Sequence, residues 1–189
     1  MTAKNLACSF TGYRPSKFPF EFEGNNENYA AFEAALTEAI FSLPKENCFT
    51  FYTGMAMGFD ILAAEIVLLL KEKDDCVINL VCVLPFKDQT NGWSEEWKQR
   101  YENVLQNADE VILLSENYYK GCYFKRNNFM VDNSDLVLTF FDGQKGGTAA
   151  TLKYAAQRNK KIINLAYTYD GTMTYQDYGA LESDPDEDE

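Results

Sequence analysis

The 189-residue chain reads as an α/β protein: a single domain built on a mostly parallel, doubly wound sheet with helices on both faces. Three observations carry that expectation. Six short segments rich in β-branched and aromatic residues alternate with five helical ones. Several of the short segments are almost continuously apolar, the pattern of strands covered on both faces. The stretches between them are short, so strand must follow strand through the intervening helix, in right-handed crossovers. Composition agrees: 46% hydrophobic, 24% charged, Gly 11 and Pro 5 describe a globular chain and exclude collagen-like or disordered ones. A domain of this length buries close to ~70% of its unfolded surface, enough for one core.

The elements follow in order. A strand over 6–11 runs into Gly12-Tyr13-Arg14-Pro15, where glycine and proline end it. A helix over 28–42 leads to a strand over 49–53 and then to the glycine-bearing run Gly54-Met55-Ala56-Met57-Gly58-Phe59-Asp60. The helix over 60–73 carries Ile61, Leu62, Ile66, Leu69 and Leu70, with further apolar residues around its circumference, so it packs deeply. A strand over 77–84 ends at Pro85-Phe86-Lys87-Asp88-Gln89. A helix over 94–106 carries Trp97 and Tyr101, which with Trp93 fall at i, i+4 and i+8. A strand over 110–114, a helix over 123–133 and a strand over 136–141 come next, followed by Asp142-Gly143-Gln144-Lys145-Gly146-Gly147-Thr148. A helix over 148–158 and a strand over 161–165 complete the domain, which spans residues 1–170.

Residues 171–189 are expected to form an unstructured acidic tail. Half of the formal net charge of −12 lies in Glu182, Asp184, Asp186, Glu187, Asp188 and Glu189, and like charges so close together repel and stay solvated. The acidic balance argues against nucleic acid as a partner, because such binding draws on clustered Lys and Arg. No apolar run nears the ~20 residues that span a bilayer, and no signal peptide opens the chain, so a soluble, cytoplasmic protein without a membrane partner is expected.

Two absences narrow the chemistry. The chain has no histidine, which excludes Ser-His-Asp and Cys-His catalysis and imidazole metal sites. Its five cysteines, Cys8, Cys48, Cys76, Cys82 and Cys122, include no Cys-x-x-Cys pair and suit free thiols better than a disulfide frame or zinc. No metal site is expected.

In open parallel sheets the ligand lies beyond the carboxyl ends of the strands, near the point where strand order reverses. The unusual residues of this chain collect in those loops. Gly146-Gly147-Thr148 opens a helix: glycines let backbone approach a phosphate, and helix N–H groups with the macrodipole favour an anion. The same residues equally describe an ordinary glycine turn with Thr148 as the cap. The Gly54-to-Asp60 loop lacks both the Gly-x-Gly-x-x-Gly fingerprint and the Gly-Lys-Ser/Thr end of a P-loop. Asp60 could accept from a ribose hydroxyl or simply cap its helix. Glu65, on an otherwise apolar helix, reads as an internal pair. Arg14 and Arg126 are the candidate cations, since a guanidinium binds phosphate bidentately and lies well on an aromatic base; either could also be a surface arginine. Trp93 and Trp97 suit core or subunit packing, and a homodimer through that stripe is an alternative to its facing the sheet.

Together these segments resemble the SLOG superfamily, specifically its YpsA-like branch of short bacterial and phage proteins. The resemblance rests on Phe10-Thr11-Gly12-Tyr13-Arg14-Pro15, the Gly54–Asp60 loop preceded by Thr53, Ala63-Ala64-Glu65-Ile66-Val67, Lys125-Arg126-Asn127-Asn128-Phe129-Met130-Val131-Asp132, and Asp142-Gly143 with Gly146-Gly147-Thr148. It implies a Rossmann-like fold that binds nucleotide-derived ligands, in several relatives as a sensor. It implies that Gly146, Gly147 and Thr148 hold phosphate and that the Gly54–Asp60 loop, with Gly54, Met55, Ala56, Gly58 and Asp60, lines the same pocket; the position of the other loops at the strand ends adds Thr11, Gly12, Arg14, Pro85, Gln89, Arg126, Asn127 and Asp142 to the ligand-binding residues expected. Many relatives carry histidine where this chain has Tyr13, which can stack or hydrogen-bond but is no near-neutral acid or base.

The superfamily also includes the LONELY GUY phosphoribohydrolases, with an Arg-Lys-x-x-Met pattern followed by Gly-Gly-x-Gly-Thr-x-x-Glu. Arg126 and Met130 keep the first spacing, but Asn127 replaces the lysine and Thr151 stands where the glutamate would fall. Glycosidic cleavage needs a carboxylate to stabilise positive charge or activate water. The function expected is therefore noncatalytic sensing or sequestration of a phosphorylated, nucleotide-derived ligand such as an ADP-ribose-like or NAD-derived molecule, with no required cofactor and no catalytic residue. A nucleoside monophosphate glycosidase and a YpsA-like regulatory protein in cell division are the alternatives. A DNA-processing role, as in DprA-like relatives, fits the acidic charge least.

Overall fold

The computed structural model describes residues 4–73 and 77–167; Cys76 and the 171–189 tail lie outside them. The sheet has six strands in the order β4-β3-β2-β1-β5-β6, with β1 at Leu6–Thr11, β2 at Cys48–Thr53, β3 at Asn79–Leu84, β4 at Glu110–Leu113, β5 at Leu136–Thr139 and β6 at Lys161–Asn164. Every paired neighbour is parallel, so the sheet is wholly rather than mostly parallel. Helices α1 (Glu27–Ser42), α2 (Phe59–Lys73), α3 (Glu95–Asn107), α4 (Cys122–Asp132) and α5 (Gly147–Gln157) make the crossovers. The architecture is Rossmann-like.

Strand order dictates the layers. The chain steps from β1 out to β4 and then returns past β1 to β5 and β6. Right-handed crossovers therefore put α1, α2 and α3 on one face and α4 and α5 on the other. The neighbouring pairs are accordingly α1 with α2, α2 with α3, and α4 with α5. The reversal falls between β1 and β5, where Thr11 pairs with Thr139 in the register.

Helix starts follow local chemistry. Asn26 caps α1 by accepting from the Tyr29 N–H at 2.8 Å, and Ser94 caps α3 by accepting from the Trp97 N–H at 3.4 Å. Asp60 opens no helix as a cap; α2 begins one residue earlier, at Phe59. Strand ends fall short of the apolar runs. Val77 and Ile78 precede β3, and Phe140 and Phe141 turn off β5 into the core instead of extending it.

The core holds Phe10 stacked on Phe51 with centroids 6.0 Å apart, together with Phe59, Leu36 and Ile40, all fully buried. Phe18, Phe20, Phe22, Phe32 and Phe140 extend it beneath the segment between β1 and α1. Aromatic burial on this scale makes that segment a packed cover. On the α4 face, Val81 and Val83 meet Met130. The edge strand β4 leaves Val111 and Leu113 exposed. Trp93 and Trp97 face the protein: Trp93 sits edge-on to Tyr101 at 5.7 Å, and Trp97 lies 6.2 Å from Phe22. Glu65 is paired internally, accepting from Arg100 Nε and Nη2 at 2.8 and 2.6 Å, while Arg100 Nη1 donates to Glu23. Cys8, Cys48, Cys82 and Cys122 are free and buried.

Candidate functional site

The loops after β1, β2 and β5 converge at the reversal point, and α4 walls their outer side. Between them lies a narrow cleft with a free volume of about 40 Å³. It is lined by Thr11, Gly12, Arg14, Ala56, Asp60, Arg126, Asn127, Gly147 and Thr148 among the residues singled out from the sequence, and also by Tyr13, Lys17, Tyr123 and Phe124.

The floor is built around Arg126. Its side chain comes in from α4, only 4% exposed, and donates through Nη1 to the Gly54 carbonyl and through Nε to Asn127 Oδ1 at 2.6 Å. Gly54 leaves room for it, since a Cβ there would meet the guanidinium and displace it. Asn127 passes the chain on, its Nδ2 donating to Thr151 Oγ1 at 2.9 Å, and Thr151 Oγ1 donates to the Gly147 carbonyl at 2.8 Å. A continuous hydrogen-bonded path thus runs from the β2–α2 loop through α4 to the first turn of α5.

Asp60 is the carboxylate on the cleft wall, 5% exposed. Burial pushes its pKa up to about 6, against the opposing pull of the Arg126 guanidinium, the Ala56 and Gly54 N–H groups that bond the carboxylate, and Arg14. Burial likewise lowers the pKa of Arg126, with Asp60 opposing that shift. An arginine nonetheless stays charged in a protein. The floor thus sets a buried carboxylate beside a buried guanidinium.

The β1 and β5 loops are tied together. Thr148 Oγ1 donates to the Gly12 carbonyl at 3.0 Å, and Gln144 Nε2 donates to the Lys17 carbonyl at 2.9 Å. The buried Tyr13 hydroxyl donates to Asp142 Oδ1 at 2.6 Å and accepts from the Asp142 and Gln144 N–H groups at 3.2 Å. Burial, with the Asp142 carboxylate, pushes the phenol pKa well up, so this clasp stays protonated. Gly12 is required too, because a Cβ would run into the Phe59 ring. Gly146 precedes α5 and offers no side chain to cap it, and no acidic residue stands in its first turn. That is the arrangement that suits an anion at a helix start.

The remaining residues singled out from the sequence lie behind or beside the cleft. Met55 is wholly buried, with its backbone in the left-handed region at φ 58°, and Gln89 holds that turn by donating to the Met55 carbonyl at 3.3 Å. Gly58 packs under the Tyr13 carbonyl and Pro15. Pro85 is buried, Gly146 is buried before α5, and Asp142 is exposed outside the lining while serving the Tyr13 clasp. Sequence reasoning missed Tyr123 and Phe124 as lining; only the phase of α4 relative to Arg126, three and two residues on, could have signalled them. Among the described residues no group of three or more His, Cys, Asp or Glu is placed to hold a metal ion, and no helix is long and apolar enough to cross a membrane.

A doubly wound parallel sheet with a polar cleft at its β1/β5 reversal defines the Rossmann-like class of α/β folds. Within that class the chain belongs to the YspA SLOG family, whose model, YpsA, matches residues 8–173. It is 36% identical over 125 residues to the SPbeta prophage-derived protein YoqJ of Bacillus subtilis (strain 168), covering 60% of this chain and 72% of that one. It is 27% identical over 157 residues to a UPF0398 protein of Bacillus thuringiensis (strain Al Hakam), covering 82% and 84%. The fold is similar to that of DNA processing protein A from Helicobacter pylori, described for its single-stranded DNA binding mode. The TM-score there is 0.58 at 18% identity, over 85% of this chain and 65% of that one. It is also similar to the structural genomics target TM1055, with a TM-score of 0.50 at 15% identity over 83% and 72%.

Proposed function

We propose that this protein binds a phosphorylated, nucleotide-derived ligand, of the ADP-ribose or NAD-derived kind, and holds it without turnover as a sensor or sequestering protein. The observation that carries the reading is one cleft that joins the start of α5 at Gly147 and Thr148 to Arg14, Lys17 and Arg126 and to the rings of Tyr123 and Phe124. Cations and a helix start suit phosphate. Aromatic rings suit a flat base. Membership of the SLOG family supports the same class of ligand. Thr151, at the position of the glycosidase glutamate, spends its hydroxyl on Gly147 and Asn127 and has no carboxylate to offer.

One observation favours a glycosidase as the second reading: Asp60, a carboxylic acid titrating at about 6 within the cleft, is of the kind that serves acid–base chemistry. Nucleic acid is the less favoured ligand. The net charge of −12 opposes the sequence-independent phosphate attraction on which such binding rests. The test is a panel of ribonucleotides, dinucleotides and ADP-ribose scored both for thermal stabilisation of the protein and for release of free base by chromatography. Stabilisation with every ligand recovered intact is expected. Base release would establish the second reading, and no stabilisation at millimolar ligand would overturn both.

A further inference from the structure

We propose that Asp60 reads the vicinal hydroxyls of a ribose, so that the cleft selects ribonucleotides over their 2′,3′-dideoxy counterparts. This rests on the nucleotide reading above and adds a specificity determinant to it.

Asp60 lines the cleft although almost wholly buried. An ionised carboxylate is an acceptor only, with about four lone-pair positions. The Gly54 and Ala56 N–H groups bond it from below. Arg126 and Arg14 both act on its charge, and Arg126 directs Nη1 and Nε to the Gly54 carbonyl and to Asn127. A carboxylate on the cleft wall suits a ligand that donates. A phosphate, anionic at neutral pH, would be repelled, whereas a pair of hydroxyls supplies two donors.

Asp60 and Thr148 line the same cleft from the elements that follow β2 and β5, with β1 between those strands. An anion at the start of α5 leaves the Asp60 wall of the cleft to the sugar. A site that hydrogen-bonds a substrate hydroxyl rejects the analogue lacking it far more strongly than an apolar pocket rejects a missing methylene.

The experiment is calorimetric titration of the full chain with ADP and with 2′,3′-dideoxy-ADP, for the native protein and for Asp60→Asn, with circular dichroism as the check of fold. The native protein should prefer ADP by tenfold or more, and Asp60→Asn should hold the two ligands within threefold of each other. Discrimination is the readout, because removing a negative charge raises affinity for both. Equal binding of the two ligands by the native protein overturns the assignment of Asp60 while leaving the nucleotide reading intact, and needs no variant. Binding of neither overturns the nucleotide reading and this inference with it. A tenfold preference that survives in folded Asp60→Asn assigns the hydroxyl contact to another residue and overturns the proposal.

Discussion

Arg126 lies flat against Gly54, with its Nη1 on the Gly54 carbonyl and no room between them for a methyl group. The contact joins α4, on one face of the sheet, to the loop that starts α2, on the other. A side chain at position 54 would push the guanidinium out of the cleft floor. Gly54→Ala is expected to cost about 1–3 kcal/mol in denaturant unfolding, the usual penalty of overpacking, and to weaken nucleotide binding at the same time. A variant as stable as the native protein would show that Arg126 is not held as described.

Asp60 gives stability a pH dependence of defined sign. Its folded pKa, raised to about 6, exceeds the ordinary carboxylate value of 3.8, so the folded state holds this proton more tightly than the unfolded state. Its contribution is fully present below pH 3.8 and is lost as pH rises through 6, a change of about 3 kcal/mol at 1.36 kcal/mol per unit. Asp60→Asn removes that term. Unfolding free energies of the native protein and the variant, measured from pH 4 to pH 7.5, should diverge across this window in favour of the variant. Parallel curves would mean that Asp60 does not titrate there.

Tyr13 fastens the β5–α5 loop with one hydroxyl, donating once and accepting twice. Tyr13→Phe keeps the ring in its aromatic surroundings and removes only that clasp. A loss of about 1–2 kcal/mol is expected, together with faster amide exchange at Asp142 and Gln144 and no change in the exchange of α2. Unchanged exchange at those two amides would count against the clasp.

Arg100 lies outside the cleft lining. It pairs with Glu65 on α2 and with Glu23 ahead of α1, and its guanidinium lies 4.2 Å from the Trp97 ring centroid. Arg100→Ala should lower stability by about 1–3 kcal/mol, since the pair is half-buried, while leaving ligand affinity within twofold. A tenfold change in affinity would place this network in the binding site.

Much of this was legible in the chain. Continuous apolar runs such as Leu136 to Phe141 gave the strands and the parallel order, and glycine-bearing loops marked the end of the sheet where the cleft lies. Ends were less legible. Phe140 and Phe141 look like strand residues, yet they serve the aromatic cluster under the β1–α1 segment, a demand that comes from residues 120 positions away. The same holds for Glu65, whose partner Arg100 lies on the next helix, and for Gln89, drawn from the ligand loops to support the Met55 turn. Tyr123 and Phe124 line the cleft because Arg126 fixes the rotation of α4. Local sequence does not encode that phase; the packing of α4 against the sheet does.

The central claim is an anion-binding nucleotide cleft at the β1/β5 reversal, and its most direct test is calorimetric titration of ADP-ribose into the native protein and into Arg14→Ala. Arg14 lines the cleft from the β1 loop and is only half-buried, so its removal probes binding with little cost to the core. Saturable binding to one site is expected, weakened tenfold or more in the variant, about 1.4 kcal/mol. Equal affinity of the two folded proteins, or no heat from the native one, would contradict it.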